Sequence, residues 1–453
     1  LSLSLSLWSV MSGEVLVAQE IAVAAVGLEA HSVVWSEKSQ ALVVFGGATY
    51  RKKTGGTKKE EDDEDADIRE LVSEANDDGD DDDEEDLFDE GSVELNKNVI
   101  FIDIKIPSRD AGSKTWTAKS RTVTQIDAPE QRTSGTVFHS SLDDKSFLFG
   151  GLDSELGVWL NDMHSFDHKT GKWTSILTDP ESVRPSPRDK TASCQLSDHL
   201  FLLFGGFGAD QDSALPSEDD GSDYVPFRWF NDLWLFDSQT TSWTELTVDS
   251  VSFDSSSSSS VPKINAPTPR AASSLTLLHS DLPSNTHQAV LFGGKDHSGR
   301  RNDLWKVKID VATKTASWTC VPVSNPPPAR SFHTASLISP NKILLVGGLS
   351  VDDRLLGDSF VLTYDKDGDS FEWNKALISG GKELQPRALH AAVSLTTFSP
   401  HVVLIGGVSK VDPETNGHDS FHETLLFLSL ESNQVSGEDG DVEEPPKKIH
   451  KAL

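Results

Sequence analysis

The chain has 453 residues, of which 36% are hydrophobic and 8% aromatic, enough for a large buried core. Its net charge of −32 repels phosphate backbones and argues against nucleic acid as a direct partner. Two cysteines, Cys194 and Cys320, make neither a disulfide framework nor a CxxC metal site, and no apolar run approaches the ~20 residues of a membrane helix. Few cysteines fit a reduced compartment, the cytoplasm or nucleus.

In chain order, "LSLSLSLWSV" comes first. Strict Leu-Ser alternation is what a CTCTCT nucleotide repeat encodes, so residues 1–10 read as translated leader ahead of Met11. A missing upstream domain is the alternative. "EVLVAQ" at 14–19 is a short apolar strand. "ALVVFGG" at 41–47 is a second, and it runs into a stretch of acid. Residues 60–90 hold 20 acids and one base, Arg69. A segment so charged cannot collapse, and residues 50–92 are expected to be a disordered loop. The tail, 432–453, reads as charged and loose.

The first run is not unique. "SFLFGG" (146–151), "LFLLFGG" (200–206), "AVLFGG" (289–294), "KILLVGG" (342–348) and "HVVLIGG" (401–407) repeat it. After each comes a strand with a polar start: "NDMHSFD" at 161–167, "NDLWLFD" at 231–237, "NDLWKVK" at 302–308, "DSFVLTYD" at 358–365. A tryptophan follows at 116, 173, 243, 318 and 373. Pro-Arg turns precede the next unit, giving Arg188, Arg270, Arg330 and Arg387, with Arg132 a weaker fifth. Each unit therefore predicts four short strands. Continuous apolar runs mark strands covered on both faces, glycines allow close backbone approach, and a large indole fills the space between stacked sheets.

These linked landmarks resemble the Kelch repeat of the galactose oxidase-like Kelch superfamily. The resemblance implies an all-β, six-bladed β-propeller of four-stranded antiparallel blades over 14–430, with the acidic insertion in blade 1. It departs in unit 1, which has Leu28 at the arginine position and "NKNVIFID" for the Asn-Asp strand. It departs again in unit 6, which lacks the tryptophan after "TLLFLSL". Residues 14–19 are expected to supply the missing fourth strand of blade 6; residues from 432 are the rival.

With strands lettered A to D, loops B–C and D–A leave the same face. The acidic segment, "FGADQDSALPSEDDGSDYVPFRW", the serine run after Trp243 and the Pro-Arg turns all fall there. Loops on a rigid scaffold are where binding surfaces are built. Arg188, Arg270, Arg330, Arg387 and Arg132 are accordingly expected around one mouth of the ring. There they would pair with an acidic peptide, as Kelch relatives commonly do on this face; the alternative is that each braces its own turn. Residues 60–90 would then dock a basic partner or compete for the arginines.

"ETNGHDSFH" places Glu414, His418 and His422 four apart. It is similar to the Glu-x3-Asp-x3-His iron motif of plant specifier proteins, with His418 in place of Asp, and so implies a metal-dependent lyase as the rival function. "DKDGDSFEW" at 365–373 has its glycine one position early for a calcium loop. Tyr50, Tyr224 and Tyr364 lack the spacing of a copper-radical oxidase. No phosphate loop, nucleophile elbow or HExxH occurs. The expectation is a protein-interaction module or adaptor, without a cofactor and not an enzyme; iron enters only under the lyase reading. A third reading is the regulatory propeller of a larger protein.

Overall fold

The apolar runs that end in Gly-Gly are the second strands of six four-stranded antiparallel sheets. The computed structural model describes residues 14–23, 28–51, 92–105, 116–153, 155–176, 182–210, 215–216, 223–248, 251–252, 263–264, 266–281, 283–379, 383–395, 401–411 and 418–430. Blade 1 is Ser32–Ser36, Ala41–Phe45, Ile100–Lys105 and Thr117–Thr122; blade 2 is Thr136–Ser140, Lys145–Asp153, Val158–Asp167 and Lys172–Ser175. Blade 3 is Ala192–Gln195, Leu200–Ala209, Phe227–Asp237 and Ser242–Glu245; blade 4 is Ser274–Asp281, Thr286–Phe292, Leu304–Asp310 and Thr315–Val321. Blade 5 is Thr334–Ser339, Lys342–Val346, Ser359–Asp365 and Ser370–Ile378.

Blade 6 takes three strands from the end of the chain, Ala391–Ser394, His401–Ile405 and Thr424–Leu430. Its fourth comes from the beginning, Glu14–Ala22. That strand runs antiparallel to Thr424–Leu430, from Leu16 opposite Leu430 to Ala22 opposite Thr424. Its first residues also pair in parallel with the outer strand of blade 5. Blades 5 and 6 are thus one continuous sheet, clasped by the N-terminal strand. The missing tryptophan of unit 6 is explained by register. In blades 2, 3, 4 and 5 the indole stands opposite the third strand, Trp173 facing Phe166 for example, whereas in blade 6 Gln19 faces Phe427.

The core is divided among the gaps between blades. Six separate apolar clusters each join residues of two neighbouring blades. Trp173, Trp243, Trp318 and Trp373 each lie against a phenylalanine of the preceding blade, and Trp116 stacks on Phe427 at 4.9 Å. Between blades 5 and 6, where no indole is available, Leu16, Leu344, Val402, Leu404 and Leu428 fill the gap. The first strands of the blades touch one another in a closed cycle, 1–2–3–4–5–6–1.

The double glycines hold that cycle together. The first glycine of each pair has a φ of 59° to 65°. A Cβ on Gly347 would lie 2.4 Å from the Arg387 carbonyl oxygen, so no other residue fits where one blade meets the next. The N–H of the second glycine donates to the carbonyl of the following blade's arginine. Gly151 to Arg188 and Gly348 to Arg387 are examples, and Gly407 to Leu28 closes the circle. Two residues beyond each arginine position stand Ala30, Ser134, Lys190, Ala272, Phe332 and Leu389, all left-handed with φ between 49° and 56°. Each donates its N–H to the carbonyl of the counterpart in the preceding blade at 2.8–3.4 Å, Ala30 to Leu389 included. The result is an unbroken ring of six backbone hydrogen bonds.

Candidate partner-binding face

The D–A and B–C loops emerge together. In every blade the residue after the arginine position bridges to the residue after the double glycine, as in Thr133 with Leu152 and Ser331 with Leu349. The acidic segment hangs from this face on a short ribbon, Ala48–Arg51 paired with Ser92–Leu95. Residues 52–91, including the acid run, lie outside the described residues, as do most of the serine run, residues 1–13 and the tail from 431.

The arginines are buried, and four of the five brace their own blade, the alternative given for them. Arg132, Arg188, Arg270 and Arg330 are 0–3% exposed. Each grips, with two guanidinium nitrogens, the aspartate of the Asn-Asp landmark position in its own blade, Asp162, Asp232, Asp303 or Asp358. Arg188 Nη1 and Nη2 donate to Asp232 at 2.6 and 2.9 Å, Arg270 to Asp303 at 2.6 and 2.9 Å, and Arg330 to Asp358 at 2.7 and 2.9 Å. Arg132 and Asp162 form the same pair. Nε donates to the carbonyl two residues back and Nη1 to the first glycine's carbonyl, so one side chain ties three segments. Burial alone would raise the Asp303 carboxyl, but Arg270 outweighs it and holds the group below the usual carboxylate range. The physical reason for the inward turn is this bidentate pairing, which offsets desolvation of both charges. Blade 1 lacks both members together: Leu28 stands at the arginine position and Asn98 at the aspartate position.

Arg387 is different. It is 2% exposed, yet its position-matched acid, Glu423, is exposed and forms no hydrogen bond or ion pair with it. Its Nη2 approaches His422 Nδ1 at 3.4 Å, while Nε and Nη1 find no acceptor. Burial brings its pKa down to about 10. Around it, on blades 5, 6 and 1, sit His333, His390 and His31, three residues beyond the arginine position of each blade and all buried. Burial lowers His31 to about 4 and, with the Arg330 charge, His333 to about 3; His390 also falls well below the ordinary value, by burial and then by Arg387. Thr334 Oγ1 and His390 Nε2 lie 2.8 Å apart and Ser274 Oγ and His333 Nε2 2.9 Å apart, while Nδ1 of both rings is unpartnered. Arg387 Nε and Nη1 are thus buried donors left without an acceptor.

A second feature of this face has no counterpart in the sequence reading. Beyond the double glycines of blades 2 and 3 the second and third strands continue as ribbons. They bring Trp159 within 4.9 Å of Phe227 and 5.6 Å of Phe207, and Phe207 within 5.0 Å of Trp229. Phe227 is 42% exposed, Val158 44% and Leu156 65%. Arg228 beside them is half-exposed and paired to Asp210 at 3.1 Å. The signal was present in the sequence as aromatics flanking the landmarks of two adjacent units, but only the fold places them together.

Of the iron-motif residues, Glu414 and the side chain of His418 lie outside the described residues. The ring of His422 is engaged on both sides: Nε2 donates to the Pro386 carbonyl at 3.0 Å, and Nδ1 faces Arg387.

Comparison with known proteins finds Kelch-repeat relatives. The family model described as the KLHDC2/KLHL20/DRC7 Kelch-repeats domain matches residues 108–262. Kelch domain-containing protein 1 of Homo sapiens is 30% identical over 228 residues, 49% of this chain and 50% of that protein. Kelch domain-containing protein 2 of Bos taurus is 25% identical over 271 residues, 58% of each. The Rab9 effector protein with kelch motifs of Bos taurus is 32% identical over 120 residues, 26% of this chain and 30% of that protein. The chain spans about half the length of the two Kelch domain-containing proteins it matches. A solved structure, "Structure of YjhT", superposes with a TM-score of 0.47 at 14% identity, covering 85% of this chain and 92% of that one. Six blades in a closed cycle, with a Kelch-repeats match over residues 108–262, make this an all-β fold similar to the Kelch-repeat propellers.

Proposed function

We propose that the protein is an interaction module, holding a segment of a protein partner on the face that carries the B–C and D–A loops. The observation that carries the proposal is the aromatic cluster on the ribbons of that face, in which Phe227 is exposed and Trp159, Phe207 and Trp229 are half-buried. Aromatic side chains with an adjacent arginine are the residues that dominate binding energy at protein interfaces. Arg387 supplies a second point of attachment, a buried cation for a carboxylate of the partner. This narrows the arginine contribution from five residues to one, because the other four are already paired. Kelch relatives support the class; one is named as an effector of Rab9. The acidic residues 60–90, attached through the ribbon Ala48–Arg51 and Ser92–Leu95, would attract a basic region of the same or another partner. Two free thiols and the absence, among the described residues, of any helix long and apolar enough to cross a membrane are compatible with a cytoplasmic or nuclear setting.

The test is a quantitative pull-down comparing wild type, Trp159→Ser with Phe227→Ser, and Arg387→Leu. The expected result is a partner lost or weakened at least tenfold with the aromatic double variant and weakened with Arg387→Leu. A partner list unchanged in both variants would refute the face.

A further inference from the structure

On the opposite face, where the A–B and C–D hairpins turn, blade 2 gathers two imidazoles and a carboxylate. His139 ends its first strand, Asp144 sits in the A–B turn, and His168 follows its third strand. The His168 side chain is fully buried, His139 is 8% exposed and Asp144 17%. His168 Nδ1 lies 3.3 Å from Asp144 Oδ1, and His139 Nε2 lies 3.8 Å from the same oxygen. One ligand atom from each of the three residues falls within 4.8 Å of the others.

The remaining nitrogens are taken up from behind. Ser146 Oγ is 2.8 Å from His168 Nε2 and 3.5 Å from His139 Nδ1. Without an ion, the Nδ1–H of His168 faces Asp144 and Ser146 can donate to Nε2; a metal at Nδ1 would replace that proton. Asp144 is itself held by hydroxyls of blade 1: Ser36 donates to Oδ1 at 2.6 Å and Ser39 to Oδ2 at 3.3 Å. Ligands oriented by a second set of hydrogen bonds are the architecture of metal centres.

We infer that His139, Asp144 and His168 bind a divalent transition-metal ion, zinc by the nature of the donors, at the hairpin end of blade 2. Two neutral imidazoles and one carboxylate suit zinc and disfavour calcium or magnesium, which take oxygen. Neutral imidazoles are the form that ligates a metal. Tetrahedral zinc at about 2.0–2.2 Å from each ligand sets the ligand atoms roughly 3.3–3.5 Å apart. Asp144 and His168 already meet that spacing. The two rings are stacked with centroids 5.1 Å apart and 21° between planes, so one imidazole must rotate about its side-chain bonds to bring its in-plane lone pair onto the ion. The ion would pin both hairpins of blade 2 and, through Ser36, tie blade 2 to blade 1. The inference is independent of the partner-binding face.

The experiment is titration of zinc and of cobalt(II) into the metal-stripped full chain in excess magnesium, which occupies the carboxylates of 60–90 but not imidazoles. Expected are one high-affinity ion per chain, a tetrahedral cobalt spectrum, and cobalt broadening of the His139 and His168 ring resonances. His168→Asn and Asp144→Asn should each weaken binding at least 100-fold, and Ser36→Ala roughly tenfold. Circular dichroism of the metal-free variants checks folding, and the ring-resonance measurement needs no variant. Absence of binding, affinity unaltered by His168→Asn in a folded chain, or unbroadened ring resonances would overturn the inference.

Discussion

Arg330 and Arg387 occupy the same position in adjacent blades with the same burial, and they should respond oppositely to change. Arg330 is 0% exposed and bonds the Pro328 and Gly347 carbonyls at 3.0 Å as well as both oxygens of Asp358. Asp358→Asn leaves that guanidinium buried with its charge uncompensated, at a cost of about 3–5 kcal/mol. Arg387 already stands without a hydrogen-bonded carboxylate, with only the more distant charge of Glu20 to offset it. Replacing it by leucine removes a buried charge without orphaning a carboxylate, and stability should be unchanged or rise by about 1 kcal/mol. Arg330→Leu combined with Asp358→Asn copies the Leu28 and Asn98 arrangement of blade 1, and should cost less than Asp358→Asn alone. Urea unfolding followed by tryptophan fluorescence at pH 7 reads all four proteins, with a constant m-value as the control. The reasoning fails if Arg387→Leu is as damaging as Asp358→Asn, or if Asp358→Asn falls within 1 kcal/mol of wild type.

Three more outcomes follow from the same geometry. Gly347→Ala combines a φ of 60° with a Cβ 2.4 Å from the Arg387 carbonyl oxygen, so a loss of about 2–5 kcal/mol is expected in the same urea assay. Leu16→Ala empties the gap that the clasp fills and should cost about 2–5 kcal/mol, with hydrogen exchange rising first along Thr424–Leu430. Acid should weaken the fold well before carboxylates titrate. His31 has a folded value of about 4, below the ordinary 6.5, so the unfolded chain binds the extra proton and stability falls as pH drops below about 6.5. At pH 5 this amounts to about 2 kcal/mol, and His31→Leu should remove that share of the pH dependence.

The repeat made most of the fold legible in advance, because Gly-Gly, Asn-Asp and Trp each mark a strand whose neighbours are close in sequence. The clasp was legible too, since unit 6 lacked a fourth strand and residues 14–19 had none to pair with. The arginines were harder to read. Arg188 and Asp232 are 44 residues apart, and nothing in one unit alone says that they bond. The one clue was their joint absence in unit 1, Leu28 with "NKNV". The cluster of Trp159 with Phe207, Phe227 and Trp229 depends on ribbons of neighbouring blades converging. His139, Asp144 and His168 meet only because two hairpins turn at the same end of one blade. Sequence spacing encodes strands within a blade better than side chains brought together across loops.

The six left-handed residues from Ala30 to Leu389 give and receive in one rotational sense, so their hydrogen bonds polarise one another around the circle. No blade is first in such a circuit. Because Glu14–Ala22 and Thr424–Leu430 already lie side by side, a ring cut back to these two strands can have them joined and be opened instead between Arg51 and Ser92 without breaking any of the six. The order in which the blades are translated is a property of the gene, while the number of blades is a property of the circuit.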